Sequence, residues 1–145
     1  KVGSEPKVIE YNVRMGDPET EVVIPRIKSD FLNLLRGIKD GTFSEKDLEI
    51  TEDYASTVML VSKGYPEKYE NGFDISHITE CEDNLIFHAG TKLENNIVKT
   101  NGGRVMAITS FGKEINIALK KSYEGAEKIT FFGKNYRKDI GFDLQ

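Results

Sequence analysis

Three segments of the chain place hydrophobic side chains at spacings typical of regular secondary structure. Residues 29–41 carry leucine, isoleucine and phenylalanine three and four positions apart, and this pattern predicts an amphipathic helix. Ser29 suits the N-cap of that helix, and Gly41 suits a left-handed C-cap. Residues 113–128 repeat the helical spacing and predict a second long helix that covers one face of a sheet. Residues 54–62 are apolar and β-branched, and they predict a largely buried strand.

A run of short strands is predicted between the buried strand and the second long helix. Residues 84–111 consist of short apolar segments separated by Asn95-Asn96 and by Asn101-Gly102-Gly103. Asparagine and glycine tolerate the positive φ that tight hairpins require, so this region predicts a strand meander. The tail, residues 131–145, returns to short extended pieces. We therefore expect an α+β fold, in which helices flank a mostly antiparallel sheet.

Polar and apolar residues also alternate near the start of the chain. This alternation predicts a strand over residues 7–13, which the turn residues Gly16-Asp17-Pro18 terminate. Asp17 is a candidate N-cap for a helix whose first turn contains Pro18 and Glu19. Pro25 is expected to end or kink that helix.

The composition narrows the class of protein. A chain of 145 residues with 38% hydrophobic and 30% charged residues suits one soluble globular domain. The net charge of -4 disfavours a nucleic-acid partner, because neutralising phosphates requires a clustered basic surface. No apolar run approaches the roughly 20 residues of a membrane span, and no basic-then-apolar signal segment opens the chain. We expect no membrane partner and a cytoplasmic location.

Cysteine and histidine are too few for soft-metal or disulfide chemistry. Cys81 is the single cysteine, so no internal disulfide can form, and with His77 and His88 it cannot build a closed zinc site. Any metal is therefore expected to be hard and oxygen-bound. The acidic neighbours of Cys81 disfavour a nucleophilic thiolate. We expect His88 to be a packed, hydrogen-bonded residue rather than a catalyst, and Lys120-Lys121 to lie on the solvated face of the last helix.

The residues with the clearest chemical potential lie on the predicted first strand. Alternate side chains of a strand share a face, so Glu10, Asn12 and Arg14 are expected to point the same way. A carboxylate and an amide oxygen spaced about 6–7 Å apart along a strand can both reach Mg²⁺ ions, which favour oxygen ligands. The guanidinium of Arg14 suits a phosphate or an acyl phosphate. Taken alone, this alternation is more typical of the solvated face of an edge strand.

The complete string E-x-N-x-R-x-G-D-P-E, residues 10–19, resembles the final metal-binding strand of ATP-grasp enzymes. With Gly-Asp-Pro-Glu-Thr directly after the arginine, it is similar to the phosphoribosylamine–glycine ligase family, also called glycinamide ribonucleotide synthetases. The resemblance continues along nearly the whole chain, in the order of that family's C-terminal region. The motifs that carry it are Lys28-Ser29-Asp30, Gly64-Tyr65-Pro66, His88-Ala89-Gly90-Thr91, Gly102-Gly103-Arg104-Val105 and Arg137-Lys138-Asp139-Ile140-Gly141.

The resemblance implies an ATP-dependent ligase of purine synthesis. Its substrates would be ATP, glycine and 5-phosphoribosylamine, its intermediate glycyl phosphate, and its products glycinamide ribonucleotide, ADP and phosphate. Residue by residue, it implies that Glu10 and Asn12 bind Mg²⁺ or Mn²⁺, which would bridge ATP phosphates. It also places Arg14, Gly16 and Asp17 at the substrate pocket. In this interpretation Arg14 stabilises the acyl phosphate and is the candidate catalytic residue, while Asp17 engages an amine.

The family's enzymes are much longer than this chain, which lacks their N-terminal domain and the glycine-rich part that covers ATP. We therefore expect residues 1–28 to be the end of an ATP-grasp domain, with the metal-binding strand and the following helix, and residues 29–145 to be the C-terminal domain. The chain is expected to be a C-terminal fragment that is silent by itself, since Glu10 and Asn12 form only half of a site.

Two alternatives stay open at this point. One is another ATP-grasp carboxylase or ligase, since E-x-N-x-R is shared across that superfamily. The other is a non-catalytic docking module, in which Ile9, Tyr11 and Val13 form the apolar side of an edge strand that awaits a partner.

Overall fold

The computed structural model describes residues 3, 5–9, 11 and 13–144 of the chain. Its elements follow an α+β order, as the sequence predicts. Three α-helices are described: α1 (Thr20–Val23), α2 (Phe31–Asp40) and α3 (Ile115–Lys128). Six strands are described: β1 (Tyr54–Ser62), β2 (Leu85–His88), β3 (Thr91–Glu94), β4 (Ile97–Thr100), β5 (Arg104–Gly112) and β6 (Lys134–Asn135). Short 3-10 turns lie at Ile24–Arg26, Glu45–Asp47, Ile78–Glu80 and Phe142–Leu144.

The centre of the molecule is an antiparallel four-stranded sheet with the order β2-β5-β1-β6. Alternate residues of β1 are buried, so one face of the sheet is covered. Helix α3 lies on that face, where the buried hydroxyl of Ser122 lies 2.8 Å from that of Ser56. The core fills the space between sheet and helix; its fully buried apolar side chains include Val58, Leu60, Val105, Met106, Ile108 and Ile129. The predictions of β1 and of the second long helix are confirmed.

The opposite face of the sheet is only partly covered. Thr57 and Thr109 are paired across β1 and β5, and their hydroxyls lie 2.8 Å apart on this face. The Thr109 hydroxyl also donates to the carbonyl of Glu21 in α1, at 2.9 Å. Helix α1 is therefore attached to the second face of the sheet, and it leaves the β6 side of that face open.

Strands β3 and β4 form a hairpin of their own, so the predicted meander is wrong in its pairing. β2 pairs directly with β5. The β3–β4 hairpin lies between these two strands in sequence order. Asn95 and Asn96 have φ of 52° and 63°, which confirms the first turn prediction. Asn101, Gly102 and Gly103 do not have the positive φ that we expected. Gly102 and Gly103 are needed for close packing instead.

Helix α2 confirms the predicted helix, with a different N-cap. Asp30 is the cap, and its carboxylate accepts a hydrogen bond from the Asn33 backbone at 2.8 Å. Ser29 is unavailable because its hydroxyl donates to the Asp47 carbonyl and accepts from the Glu49 backbone. Gly41 is left-handed with φ of 69°, as expected.

The strand predicted over residues 7–13 is not present in the described part of that segment. Residues 6–9 and 11 have no regular structure, and residues 13 and 14 form a bend. A strand requires a neighbour for its N–H and C=O groups, and no strand of the described residues pairs with this segment. The alternating pattern gives a segment the capacity to form a strand, and pairing has to come from another strand.

The helix predicted after Gly16 is shorter than expected. It begins at Thr20, after Glu19 as N-cap, so the prediction that Asp17 is the cap is wrong. Asp17 instead forms an ion pair with Arg104. Pro25 lies in the 3-10 turn that follows α1, which agrees with the predicted helix end. The domain boundary predicted between residues 28 and 29 stays a prediction. Among the residues that the structure describes, no helix is both long enough and apolar enough to cross a bilayer.

Candidate functional site

The two residues predicted to bind metal, Glu10 and Asn12, lie outside the described residues. Their described neighbours Ile9, Tyr11 and Val13 are 96%, 84% and 99% exposed. The predicted alternation of a packed apolar side and a polar side is therefore absent from this part of the segment. Within the described ranges, no three His, Cys, Asp or Glu side chains are grouped in a way that could hold a metal ion.

Arg14, the predicted catalytic residue, is an exposed side chain just beyond this segment. One of its guanidinium nitrogens, Nη1, donates to the backbone carbonyl of Met15 at 3.2 Å. The guanidinium has five N–H donors, and this local hydrogen bond uses one of them. The remaining donors of the fork are sufficient for a phosphate or acyl phosphate oxygen.

The predicted substrate-binding turn, Gly16–Pro18, is attached to the sheet. The carbonyl of Gly16 accepts hydrogen bonds from both the backbone and the hydroxyl of Thr20, at 3.0 and 2.6 Å. Asp17 contacts Arg104, the first residue of β5. These contacts place the turn at the N-terminal end of β5, although 87 residues separate Asp17 from Arg104.

Two glycine motifs that the sequence singles out meet at the same end of the sheet. The Gly90 backbone donates to the Arg104 carbonyl at 2.8 Å, and the Asn101 backbone donates to the Gly90 carbonyl at 2.7 Å. A Cβ on Gly90 would lie 2.5 Å from the Arg104 carbonyl oxygen and 2.6 Å from the Gly102 Cα. These contacts leave no room for a side chain at residue 90. The residues 88–91 and 101–104 therefore form one packed unit beside the first turn.

The Gly64-Tyr65-Pro66 motif joins this unit from the end of β1. A Cβ on Gly103 would lie 2.2 Å from the ring of Tyr65, so the tyrosine packs directly on the glycine backbone. The Ser62 backbone donates to the Gly103 carbonyl at 2.8 Å, and the Ser62 hydroxyl donates to the Gly102 carbonyl at 2.9 Å. The Gly-Gly sequence therefore has two reasons, because Gly102 packs on Gly90 and Gly103 packs on the ring of Tyr65.

These motifs border one cleft on the partly covered face of the sheet, with a volume of about 490 Å³. A cleft of this size suits a small-molecule ligand. The lining residues are Pro18, Thr57, Met59, Val61, Tyr65, Arg104, Asn135, Tyr136, Arg137 and Ile140.

The last of the sequence motifs closes the cleft on the β6 side. Arg137 donates to both carboxylate oxygens of Asp139, at 2.9 and 2.8 Å. The hydrogen bond from Arg137 lowers the pKa of Asp139 below its ordinary value, and the same contact raises the pKa of Arg137. Burial raises the pKa of Tyr136 above its ordinary value, which favours the neutral phenol, a hydrogen-bond donor. The cleft therefore combines fixed charges with an uncharged hydroxyl.

His88, which we expected to be packed and hydrogen-bonded, makes a hydrogen bond but is exposed, so the expected packing is wrong; it lies at the end of the edge strand β2. His88 Nδ1 lies 2.9 Å from the hydroxyl of Thr91, at the start of the turn that holds Gly90. Cys81 is buried, and burial raises the pKa of its thiol. A raised pKa favours the neutral thiol, which is a poor nucleophile.

Comparison with known proteins gives the family of the chain. Residues 55–143, more than half of the chain, match the sequence model of the family described as phosphoribosylglycinamide synthetase, C domain. The chain belongs to this family. The match includes Tyr65, Arg104 and Arg137 of the cleft, whereas the Gly16–Pro18 turn precedes it.

The relatives that the chain matches carry the name phosphoribosylamine–glycine ligase. A phosphoribosylamine–glycine ligase of Clostridium acetobutylicum is 46% identical over 134 residues, covering 92% of this chain and 32% of that protein. A ligase of the same name from Halalkalibacterium halodurans is 47% identical, with 94% and 32% covered. The crystal structure of the phosphoribosylamine–glycine ligase of Thermotoga maritima aligns with a TM-score of 0.81 and 39% identity, over 93% of this chain and 33% of that one. The chain thus spans about a third of these relatives.

Several cleft residues were not singled out by the sequence. Asn135 and Tyr136 lie beside the Arg137 motif, but nothing in their spacing indicates a pocket. Thr57, Met59 and Val61 are the residues of β1 that alternate with the buried ones. That alternation is visible in the sequence only as a half-buried strand, because a strand pattern does not indicate whether its second face is covered.

Proposed function

We propose that this chain is the C-terminal part of an ATP-dependent ligase of purine biosynthesis, which joins glycine to 5-phosphoribosylamine. The observation that carries the proposal is that the Gly16–Pro18 turn, Tyr65 and the Gly102–Arg104 turn reach one cleft, which Pro18, Tyr65 and Arg104 line, while the Gly90 turn packs against Arg104. These segments are far apart in the sequence, and their meeting gives a reason for Gly90, Gly102 and Gly103. The names of the family and of its relatives supply the reaction.

The proposed chemistry has two steps. The γ-phosphoryl group of ATP passes to the glycine carboxylate, giving ADP and glycyl phosphate. The amine nitrogen of phosphoribosylamine then attacks the acyl carbon, a C–N bond forms, and the C–O bond to phosphate breaks as the nitrogen loses a proton. Arg14 can offset negative charge on the acyl phosphate through its planar fork. The Asp17 carboxylate can accept a hydrogen bond from the amine.

We also propose that Glu10 and Asn12 bind a Mg²⁺ or Mn²⁺ ion in the full-length enzyme. A carboxylate and an amide oxygen are suitable ligands for such hard ions. When held by Glu10 and Asn12, the ion would offset negative charge during phosphoryl transfer. The exposure of Ile9, Tyr11 and Val13 implies that this segment is open to water in the chain alone. Two ligands in water hold Mg²⁺ poorly because the ion dehydrates reluctantly, so the chain by itself is expected to be inactive.

The partners proposed for this chain are the N-terminal and ATP-grasp domains of the same polypeptide. The relatives are about three times as long as the chain, which leaves room for such domains. Exposed apolar side chains on residues 9–13 and on α2 offer surfaces for them. The docking interpretation is thus a part of the ligase proposal. The names of the relatives favour a glycine ligase over another ATP-grasp carboxylase.

The test is ADP release with Mg-ATP, glycine and phosphoribosylamine, measured side by side on this chain and on the full-length protein. We expect release from the full-length protein only. Glu10→Gln should lower its turnover at least about 100-fold, because charge stabilisation in phosphoryl transfer depends on the metal. It should also raise the Mg²⁺ concentration needed for half-maximal rate. Lys121→Ala is the matched control. Lys121 lies on α3, far in sequence from the Gly16–Pro18 turn, and its substitution should change the turnover little.

Each part of this proposal has its own contradicting outcome. Glycine-dependent ADP release by the chain alone would contradict the half-site argument. Unchanged kinetics of Glu10→Gln would remove the metal assignment and leave the ligase assignment standing. Bicarbonate-dependent rather than glycine-dependent ATP turnover by the full-length protein would support the carboxylase alternative.

A further inference from the structure

We propose that Arg104 is a positioning residue, which holds the Asp17 carboxylate beside the cleft for the amine substrate. This inference rests on the proposed function, because it assigns a task to Asp17 within the ligase reaction. It adds a residue whose motif, Gly-Gly-Arg-Val, has in sequence only the character of an ordinary turn. The role is carried by contacts at both ends of the arginine.

The guanidinium of Arg104 reaches Asp17 at two points. Nη2 lies 3.3 Å from the side-chain oxygen Oδ2, and Nη1 donates to the backbone carbonyl of the same residue at 3.3 Å. One contact would leave the carboxylate free to rotate about its side-chain bonds. Two contacts from a planar group fix both the backbone and the side chain of the aspartate. A lysine has a single ammonium and cannot reproduce this pair of contacts with the same geometry.

The other end of the arginine is held firmly by the sheet. The Arg104 carbonyl accepts from the Gly90 backbone, and Arg104 pairs with Val61 of β1 across the sheet. The tight contact between Gly90 and Gly102 locks the loop that leads into β5. Arg104 therefore projects from a backbone with neighbours on both sides. Because its backbone is fixed in this way, Arg104 can hold the Asp17 turn in a defined position relative to the sheet.

Other described contacts near the turn do not perform this task. Thr20 bonds the Gly16 carbonyl, and Thr109 bonds the Glu21 carbonyl. These contacts fix the backbone before Asp17 and the helix after it, and they leave the aspartate side chain to Arg104. A carboxylate has two oxygens, so Oδ2 can pair with the arginine while the other oxygen accepts from an amine.

The ion pair has little value for folding alone, which separates the positioning role from a structural one. The side chains of Arg104 and Asp17 are 41% and 45% exposed. Exposed ion pairs contribute little to stability because water screens the charges. Loss of Arg104 should therefore leave the fold intact, whereas it should reduce use of the amine substrate.

The experiment is a double-mutant cycle in the full-length ligase with Arg104→Met, Asp17→Ala and the two combined. We expect kcat/KM for phosphoribosylamine to fall about 100-fold in Asp17→Ala and about 10-fold in Arg104→Met, because a small displacement of a substrate-positioning group is costly. The double variant should resemble Asp17→Ala alone, since Arg104 acts through Asp17. Arg104→Lys should recover part of the loss. The KM for ATP should stay within about twofold of wild type in Arg104→Met.

The outcomes separate this inference from the proposed function. Losses that multiply in the double variant, a normal kcat/KM in Arg104→Met, or an equal rise in the KM for ATP would each overturn the positioning role. A wild-type protein that makes no glycinamide ribonucleotide would instead overturn the proposed function. Lys120→Met, an exposed residue of α3, is the control and should match wild type. If Arg104→Met does not fold, Arg104→Lys and Arg104→Gln carry the same cycle.

Discussion

At the scale of single residues, the clearest constraint is the absence of space at Gly90. Its missing Cβ would lie within 2.6 Å of two backbone atoms, one from Arg104 and one from Gly102. Backbone atoms of paired segments cannot move aside as a flexible side chain can. We expect Gly90→Ala to lower the free energy of unfolding by about 1–3 kcal/mol, the usual cost of overpacking. Urea denaturation of the chain measures this.

The control for Gly90→Ala is a glycine with room for a methyl group. Gly37 lies in α2, and a Cβ there would be 3.4 Å from the nearest atom, a Phe43 backbone carbon. Gly37→Ala should be neutral or stabilise the chain by up to about 1 kcal/mol, because alanine favours the helix. A Gly90→Ala variant as stable as Gly37→Ala would show that the two glycine motifs are not packed together.

At the scale of elements, one lysine connects the end of α3 to the cleft. The Lys134 ammonium donates to three carbonyls at the helix C-terminus, those of Ala126, Glu127 and Ile129, at 2.7, 3.1 and 2.6 Å. A cation there opposes the partial negative charge of the helix end. We expect Lys134→Met to destabilise the chain by about 1–2 kcal/mol, because three acceptors lose their charged donor.

Lys120→Met on the same helix is the control for Lys134→Met. Its only described ion pair, with Glu124, spans 3.8 Å and is exposed, so its removal should change the urea midpoint little. Because Lys134 precedes Tyr136 and Arg137, loss of the cap should also loosen the β6 side of the cleft. Equal urea midpoints for the two variants would contradict the capping role.

The elements also show how far the sequence predicts this fold. β1, α2 and α3 follow from local patterns of apolar residues, which burial satisfies in β1 and α3, whereas most of the apolar face of α2 is exposed. Residues 7–13 have an equally good strand pattern, yet the described part forms no strand, because pairing depends on a neighbour that no local pattern encodes. Gly102 and Gly103 were assigned to positive φ, whereas contacts with Gly90 and Tyr65 require them. Contacts between distant segments are what the spacing of residues cannot supply.

The candidate site, too, could be predicted from the sequence only in part. The family resemblance gave Arg14, Gly16 and Asp17, and the structure places the turn that holds Gly16 and Asp17 beside the cleft. Arg104 and Arg137 belong to motifs of the family resemblance, but the sequence indicates no role for either residue. Only the folded chain shows that both line the cleft. Tyr136 has no signal in the sequence at all.

At the scale of the whole molecule, the chain has two unlike parts. From β1 onwards, a buried core joins the sheet to α3, and most large apolar side chains of these strands are covered. Among the described residues before β1, only Leu34 of α2 is buried, although the helix is strongly amphipathic. Phe31, Leu32, Leu35 and Ile38 are exposed. An apolar helix face of this extent is typical of a surface that another domain covers.

The exposed face of α2 should respond differently to substitution in the chain alone and in the full-length protein. Leu35 is 48% exposed, so Leu35→Glu should leave the thermal midpoint of the chain alone within about 2 °C, as expected for a surface substitution. In the full-length ligase it should lower the midpoint by several degrees, because a carboxylate would be buried without a partner. Asn33→Glu, on the opposite face of α2, is the matched control and should be neutral in both. Equal midpoints for Leu35→Glu and Asn33→Glu in the full-length protein would mean that solvent, rather than the rest of the ligase, covers this helix.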